Sequence, residues 1–387
     1  MNVAHVIVNN LGGITSLVQN LILYNGSNAP EQELVVLDIA GNPNKPAQLD
    51  RNLAAVTHHF HLNPVDNWYY TYGRLAKMLG KSDGVLVSND QYDLIMLQAF
   101  NIPRKVVQLV HDPYNLELAI RFHAVVDRFI AHSRYIYEEL IRLMPSRSAD
   151  IIHLPYGIPL SPPPLKQTAP ADVPLRLVFV GRHDKAKGVY DLFEIFRMLE
   201  NRGIKTEWLI LGSGPESENL RRQWQHVACA SFETPEAHAM VLERVASCDI
   251  MVFPTRFEGF PVALVECMSQ GCVPVVTDLS GGIQELVQNG KTGYRCEMGN
   301  NNMFAEAIIR LNENRVLLTE MKQKAIQQVI YNHDATKQSP AYQQIFQLLA
   351  LETAVPRHHA VNRKIGSRLD QPFLPSGLVR QLRKWQR

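Results

Sequence analysis

The stretch that decides the fold is Asp249–Asp278, DIMVFPTRFEGFPVALVECMSQGCVPVVTD. Short apolar runs rich in β-branched residues, IMVFP and CVPVV, lie near its two ends, and a helix is predicted between them. Apolar strands joined by a helix indicate a parallel sheet that is covered on both faces. Two carboxylates, Glu258 and Glu266, lie eight positions apart in this otherwise apolar connection.

The same alternation of apolar strands and amphipathic helical stretches extends over most of the chain and pauses once, at residues 159–174, where six prolines predict a semi-rigid connector. We therefore predict an α/β protein with two doubly wound, Rossmann-like domains facing each other across a cleft, where a ligand would bind. Helical stretches at 303–311, 315–330 and 340–351 are expected to close the second half. The predicted parts are a first domain at 1–158, a linker at 159–174, a second domain at 175–330, a closing helix at 331–352 and a basic tail at 353–387.

Composition is that of an ordinary globular protein, with 387 residues, 46% of them hydrophobic and 20% charged. No apolar run approaches the roughly 20 residues that span a bilayer. The five cysteines lack C-x-x-C spacing, and MNVAHVIVNN lacks the basic and small-residue features of a signal peptide. We therefore expect a cytoplasmic protein, with a position at the inner face of the cytoplasmic membrane as the alternative.

Basic charge is concentrated at the C-terminus. Residues 353–387 contain eight lysines and arginines and one aspartate, a net charge of +7, and because the whole chain carries +2 the preceding residues sum to −5. The last residues, SGLVRQLRKWQR, predict a helix with Leu378, Val379, Leu382 and Trp385 on one side and arginines on the other. Such a helix is typical of an anchor to an anionic membrane or acceptor, and a solvated or docked tail is the alternative. Nucleic acid is not an expected partner, because no recognition module accompanies the charge.

Two further strand ends carry residues suited to an anion. In VFVGRHDKAKG, Arg182 and Lys187 follow a predicted strand, where an anionic ligand or plain solvent would meet them. In LILGSGP, Gly212 and Gly214 permit a ligand to approach the backbone closely, and a simple turn is the alternative.

The loop TRFEGFP adds a third strand end. Pro261 suits the first helical position, so amides near Gly259, Phe260 and Val262 would offer a partial positive charge to a phosphate or sugar oxygen. Glu258 and Glu266 would accept hydrogen bonds from vicinal hydroxyls. The alternative is a helix-start acid followed by a surface acid.

The joint order of FVGR…KG, LGSGP, the stretch at 249–278, GGIQELVQNGKTGY and NNLGGITSLVQNL resembles the retaining glycosyltransferases of family 4 (group 1), which have the GT-B fold. The resemblance covers about residues 1–350, and it implies that the domain at 1–158 lies on the acceptor side and that the domain at 175–330 binds the nucleotide-sugar. It implies that Arg182 and Lys187 hold the diphosphate of a nucleotide-sugar, that Glu258 contacts the sugar, and that Glu266 accepts from the ribose. It implies a catalytic group of His111, Glu258, Arg182 and Lys187, and a donor-binding group of Gly12, Gly13, Gly212, Gly214, Gly259, Phe260, Pro261, Val262 and Glu266.

The resemblance further implies Gly281 and Gly282 at a turn bordering the pocket, and Ser133 as a structural helix cap. The implied reaction transfers a sugar with retention, by front-face attack, from a nucleoside diphosphate sugar to a glycan or lipid-linked acceptor of the bacterial cell envelope or exopolysaccharide. No cofactor and no metal are expected. A nucleotide-sugar epimerase and an inactive binding partner are the alternatives. Thr255–Arg256–Phe257 departs from the family's usual lead-in to the motif, which leaves the sugar open.

Overall fold

The computed structural model describes residues 1–10, 12–42, 46–47, 49, 53–81, 83–160, 170, 173–235, 238–353 and 365–385, with the backbone alone for 238 and 239. The chain divides into two compact units. The first comprises residues 1–157 together with 335–387, and the second comprises residues 158–334.

The first unit is built on a parallel sheet of seven strands among its described residues, in the order β3-β2-β1-β4-β5-β6-β7. Its strands are β1 Asn2–Val8, β2 Glu31–Ile39, β3 Val56–Leu62, β4 Gly84–Ser88, β5 Arg104–Val110, β6 Arg128–Ala131 and β7 Ile151–His153. The helices between them are α1 Gly13–Leu23, α2 Trp68–Leu79, α3 Gln91–Ala99, α4 Pro113–Phe122 and α5 Arg134–Leu143, with short 3-10 helices at His123–Val125 and Pro145–Asp150.

The second unit repeats the plan with six parallel strands in its described part, in the order β10-β9-β8-β11-β12-β13. Its strands are β8 Leu175–Val180, β9 Thr206–Leu211, β10 Ala230–Glu233, β11 Ile250–Phe253, β12 Val273–Thr277 and β13 Tyr294–Cys296. Its helices are α6 Asp191–Asn201, α7 Ser217–Gln223, α8 His238–Ala246, α9 Val262–Ser269, α10 Gly282–Leu286, α11 Asn301–Glu313 and α12 Arg315–Asn332, with a 3-10 helix at Lys185–Lys187.

The central strands are largely apolar because both faces of each sheet are covered. In β11 and β12 every residue is buried, which is the pattern that the sequence IMVF and VPVVT predicts. The prediction of two doubly wound α/β domains is confirmed. In each sheet the strand order reverses beside the first strand, between β1 and β4 and between β8 and β11, and such switch points are where open α/β sheets bind ligands.

The C-terminal end of the chain corrects one expectation. Residues 340–351 were expected to close the second half, but they lie in α13 Ala335–Leu351, which belongs to the first unit. The Gln343 side chain there donates to the Leu21 carbonyl of α1, at 3.3 Å. The chain then reaches α14 Ser376–Trp385, also in the first unit, which confirms the predicted tail helix.

Three other expectations have separate outcomes. Most of the proline-rich connector at 159–174, and residues 354–364 of the basic tail, lie outside the described residues. The predicted helix cap at Ser133 is confirmed, since its side chain accepts from the Ile136 N–H at the start of α5. In the part of the chain that the structure describes, no helix has both the length and the apolar character needed to cross a bilayer.

Candidate functional site

The candidate site in the second unit lies at the carboxyl ends of β8 and β11, which are neighbours at the switch point of the sheet. The loop after β8 contains Arg182 and Lys187, and the loop after β11 contains Glu258. Because the two strands are parallel and paired, Leu177 with Ile250 and Val178 with Met251, both loops leave the sheet at the same edge. Residues that are 71 positions apart in sequence are therefore brought together.

Lys187 and Glu258 form an ion pair at this edge, with 2.5 Å between Lys187 Nζ and Glu258 Oε1. The Glu258 side chain is 11% exposed and that of Lys187 is 22% exposed, so water screens the pair only in part. Lys187 Nζ also lies 3.4 Å from the Phe257 carbonyl, and the hydroxyl of the buried Thr255 donates to Glu258 Oε1 over 3.3 Å. The carboxylate is thus held from two sides.

Burial raises the pKa of Glu258 above its ordinary value, and the neighbouring Lys187 ammonium opposes that rise. The carboxylate therefore depends on Lys187 to stay ionised. A ligand anion that drew the ammonium away would have to be matched by hydroxyl donors to Glu258, which is the arrangement that a phosphate attached to a sugar supplies.

Arg182, the second predicted cation, makes a different contact. Its Nε lies 2.5 Å from Asp184 Oδ2, and its side chain is 61% exposed. Asp184 also accepts from the Lys187 N–H at 3.1 Å, so one carboxylate caps the short helix that positions Lys187 and orients Arg182. The structure thus joins Lys187 to Glu258, and it joins Arg182 to Asp184.

Glu266, the second acid of the opening stretch, is buried on α9. Burial raises the pKa of its carboxyl from 4.5 to about 8. The alternative interpretation of a surface acid is therefore wrong for this residue. A buried acid of this kind is neutral at pH 7 and becomes a strong acceptor only when donors are brought to it.

Gly212 and Gly214 fit against the loop that follows β8. A Cβ on Gly212, where φ is +134°, would lie 1.9 Å from the Gly181 carbonyl oxygen, and one on Gly214 would lie 2.4 Å from that of His183. The His183 N–H donates to the Ser213 carbonyl at 3.1 Å, which ties the two loops together. These glycines are therefore required by packing within the protein, and donor binding at them stays a prediction.

The loop Gly259–Pro261 packs against the glycine turn predicted to border the site. A Cβ on Gly282 would lie 2.8 Å from Pro261 Cδ, so only glycine allows this approach. The helix α9 begins at Val262, one residue later than predicted, so Pro261 is its cap residue and not its first helical residue. The Val262 N–H already donates to the Phe260 carbonyl at 3.0 Å, whereas the prediction had it facing a ligand.

Phe260 is held from its other side, because its ring lies 5.4 Å from that of His333. In the first unit, Gly12 is the cap residue of α1, and a Cβ there would have no neighbour within 4 Å among the described atoms. Gly12 and Gly13 are both exposed, at the carboxyl end of β1. The N-terminus of α1 is therefore sterically open, and its predicted contact with the donor remains untested.

His111 lies at the carboxyl end of β5, where its Nε2 is 3.1 Å from Asn89 Oδ1 at the end of β4. Its ring is 4.8 Å from that of His132, which follows β6. Burial lowers the pKa of His111 well below its ordinary value, and His132 adds to that shift. His111 is therefore a neutral imidazole in a fixed orientation, which suits a hydrogen-bonding role rather than that of a cation.

Sequence reasoning missed three residues that position the predicted ones: Asp184, Thr255 and Asn89. Asp184 was detectable, because an aspartate three residues before Lys187 is a helix-cap pattern. Asn89 carried no usable signal, since its contact with His111 depends on β4 and β5 being neighbours. Thr255 was noted only as part of a departure from the family's lead-in, although it lies three residues from Glu258 in the same loop. In the described part of the chain, no group of three or more His, Cys, Asp or Glu is arranged to hold a metal ion.

Comparison with known proteins matches part of the chain to one family. The profile of the glycosyl transferases group 1 matches residues 165–328. WcaL of Escherichia coli (strain K12), provisionally assigned as a colanic acid biosynthesis glycosyltransferase, is 34% identical over 143 residues, which are 35% of this chain and 34% of WcaL. A Campylobacter jejuni enzyme, N-acetylgalactosamine-N,N'-diacetylbacillosaminyl-diphospho-undecaprenol 4-alpha-N-acetylgalactosaminyltransferase, is 24% identical over 278 residues, 66% of this chain and 73% of that enzyme.

The curated relatives WcaL, a Bacillus anthracis synthase and a mycobacterial glycogen synthase are matched over only 34% to 44% of their own lengths. Among solved structures, Anabaena HepE in complex with UDP and glucose superposes with a TM-score of 0.72 at 17% identity, covering 90% of this chain and 99% of HepE. At that identity the likeness establishes the fold alone.

Proposed function

We propose that this protein transfers a sugar from a nucleoside diphosphate sugar to a glycan or lipid-linked glycan, because residues 165–328 match the profile of the group 1 glycosyl transferases and the fold is that of GT-B structures. The proposed setting is synthesis of a bacterial capsule, exopolysaccharide or lipopolysaccharide. The relatives named for colanic acid and for an undecaprenol-linked acceptor support this setting. The UDP bound in HepE makes a uridine diphosphate sugar the first donor to test.

One observation carries the proposal: the ion pair of Lys187 and Glu258 at the switch point of the second sheet. A lysine held at a strand end by a largely buried acid is poised to exchange that partner for a diphosphate. The acid is then free to receive sugar hydroxyls. A pair that served stability alone would gain little, because burying two ions costs several kcal/mol per ion, about as much as their attraction returns.

In the proposed reaction, the bond between the anomeric carbon and the β-phosphate oxygen breaks, and negative charge grows on that phosphate. Lys187 and Arg182 supply positive charge where this charge develops, and preorganised charges of this kind lower the barrier. Asp184 orients both cations, because it bonds the Arg182 side chain and caps the turn that carries Lys187.

Glu258 is proposed to bind hydroxyls of the donor sugar, and Glu266 those of the ribose. Retention is proposed from the family resemblance, with the acceptor oxygen attacking from the side that the phosphate leaves and passing its proton to that phosphate. His111, neutral and fixed by Asn89, is proposed to hydrogen-bond the reacting sugar. The amides of Gly259 and Phe260, and the open helix start at Gly12 and Gly13, are proposed as further donor contacts.

We also propose that α14 contacts an anionic membrane, by a geometry that differs from the one predicted. Val379 is fully buried, Arg380 Nε lies 2.6 Å from Asp66 Oδ1, and Arg383 is paired with Asp370, so these three residues hold the helix to the first unit. The large apolar side chains left exposed on this helix are Leu378, Leu382 and Trp385, the last 91% exposed. Apolar insertion, aided by the remaining cations, is therefore the proposed mode.

The function is tested by donor turnover. The purified full-length chain is incubated with UDP-, GDP- and ADP-sugars, and release of the nucleoside diphosphate is measured with and without a lipid-linked glycan extract. We expect one donor to be turned over faster with acceptor, and Lys187→Ala to lower that rate at least a hundredfold. A Lys185→Ala variant changes a cation two positions away, 79% exposed, and is the matched control.

Failure of every donor to be consumed would support an inactive binding partner. Consumption of donor with the sugar released as an isomer, and no dependence on acceptor, would support an epimerase. Equal turnover by the Lys187→Ala and Lys185→Ala variants would refute the role given to the ion pair.

A further inference from the structure

The first unit contains a cavity of about 730 Å³ that none of the roles above uses. On one side lie the first turns of α2 and α3, and on the other lies the segment at residues 366–370 that leads back to α14. Its walls include Trp68, Tyr72, Tyr92, Ile95, Arg368 and Arg383. Its volume is in the range typical of small-molecule sites.

The cavity lies at the edge of the sheet where the reaction is proposed. Helices α2 and α3 begin just beyond the carboxyl ends of β3 and β4. Gln91 and Tyr92, which line the cavity, follow Asn89 by two and three residues, and Asn89 holds His111. A molecule in the cavity is thus one short loop away from the histidine proposed to face the reacting sugar.

The apolar wall of the cavity is aromatic. The rings of Trp68 and Tyr92 are stacked, with centroids 6.2 Å apart and planes at 19°, and Tyr72 lies 5.4 Å from Trp68. Trp68 and Tyr92 are only partly buried, so part of each ring is available. The negative face of an aromatic ring attracts the slightly positive C–H groups on one face of a pyranose, whose hydroxyls then point to the rim.

The opposite wall is fixed by the returning segment. Asp370 accepts from the Trp68 N–H at 2.7 Å and pairs with Arg383 Nη2 at 2.7 Å. The Asn67 side chain donates to the carbonyls of Gln371 and Leu374 at 2.9 and 2.8 Å. Because Asp370 and Asn67 are buried and bonded to both sides of the cavity, the wall is already in place, and a ligand need not order it on binding.

The charge at the rim is positive. Arg368 lines the cavity and is exposed, and within the described residues it forms no ion pair, in contrast to Arg383. An arginine in that position recognises a carboxylate or phosphate. The cavity therefore combines a stacking surface for a sugar ring with a cation for an acidic substituent.

We propose that this cavity is an acceptor subsite that binds a pyranose ring of the acceptor glycan, stacked on Trp68 and Tyr92, with Arg368 meeting an acidic group of that glycan. The inference rests on the proposed function, since it takes the acceptor to be a carbohydrate. It gives the C-terminal segment a role in acceptor choice, although that segment lies outside the part of the chain matched by the family profile.

The test is saturation-transfer NMR on the full chain. The probes are methyl β-D-glucopyranoside, methyl α-D-galactopyranoside, methyl β-D-glucuronide and, separately, UDP. Irradiation of aromatic protons is expected to reach the ring protons of one face of at least one glycoside, most strongly for the glucuronide. Tyr92→Leu is expected to lower this transfer at least fivefold, and Arg368→Ala to lower it for the glucuronide alone.

Tyr135→Leu is the matched control, because Tyr135 is an exposed tyrosine of the same unit that does not line the cavity. Thermal unfolding of each variant shows whether it is folded. If Tyr92→Leu does not fold, the Arg368→Ala variant still tests the subsite, because it changes an exposed side chain. Absence of transfer to all three glycosides, or transfer that both cavity variants leave unchanged, overturns the subsite.

The UDP signal separates this failure from that of the proposed function. UDP transfer that persists in every variant, with no glycoside signal, rejects the subsite and leaves the transferase intact. UDP transfer that is lost in Tyr92→Leu would mean that the aromatic wall stacks a nucleobase, which also overturns the inference.

Discussion

The buried carboxyl of Glu266 makes nucleotide affinity depend on pH. Burial raises its pKa from 4.5 to about 8, so at pH 7 about one molecule in ten carries the ionised form. As the proposed ribose acceptor, the carboxylate must lose its proton before two hydroxyls can donate to it. The apparent Kd for UDP at pH 7 is then about tenfold weaker than at pH 9, a difference of about 1.4 kcal/mol.

Isothermal titration calorimetry measures this directly. In two buffers with different ionisation enthalpies, wild-type protein is expected to release close to one proton per UDP at pH 7 and close to none above pH 9. Glu266→Gln is the matched control, because it keeps the volume but cannot ionise. The difference between the two proteins also removes the titration of the nucleotide's own phosphate, whose pKa is about 6.

The Glu266 carboxyl also makes the free energy of unfolding depend on pH. Affinity for UDP is expected to rise with pH, whereas the stability of the ligand-free protein is expected to fall. In the unfolded chain the carboxyl ionises near 4.5, while the folded protein keeps its proton up to about 8. The stability that the neutral form contributes is therefore fully present below pH 4.5, and it falls as pH rises through 8, by on the order of 5 kcal/mol. Urea unfolding of Glu266→Gln should lack this fall. Parallel pH curves for both proteins, in affinity and in stability, would refute the reasoning.

Two predictions concern the tail. Replacing Leu382 and Trp385 together by serine should lower pelleting with anionic liposomes severalfold while the unfolding temperature stays within about 2 °C, because both side chains are exposed; unchanged pelleting would contradict membrane contact by α14. Asp370→Ala should lower the free energy of unfolding by about 3–5 kcal/mol, since it strips Arg383 and the Trp68 amide of a buried partner. A urea midpoint equal to that of wild type would show that the returning segment is not held as described.

Sequence patterns predicted the strands that are buried on both faces, and they gave little signal for the partly exposed strands near the sheet edges, of which β3 is one example. The strand β3, VTHHFHL, lies at the edge of the first sheet, and its three histidines are largely exposed, so it carries no continuous apolar run. Edge strands are commonly polar because one side faces water. The start of α9 also differed from prediction by one residue. Proline fits both the cap position and the first helical position, so the sequence alone did not distinguish a start at Pro261 from one at Val262.

The contacts of the site were less predictable than its residues. Motif order pointed to Lys187 and Glu258, but their direct pairing follows from β8 and β11 being neighbours, which periodicity does not reveal. The tail shows the same limit. Its net charge suggested a membrane anchor, with a solvated or docked tail as the alternative, and the sequence could not indicate that Arg380 pairs with Asp66, 314 residues away.

Glu258 and Glu266 lie on one apolar connection, and both have raised pKa values because both are buried. A protein selected only for stability would place amides or apolar groups there, since a buried carboxyl costs free energy in proportion to its desolvation. A ligand that brings a diphosphate to Lys187 and hydroxyls to the two acids repays that cost on binding. Glu266→Gln should therefore raise the stability of the ligand-free protein above pH 8 while it weakens nucleotide binding. An increase in stability together with a loss of nucleotide affinity is expected if the buried acids serve a ligand site at a cost in stability. A scaffold that binds no nucleotide gives no reason to expect both changes.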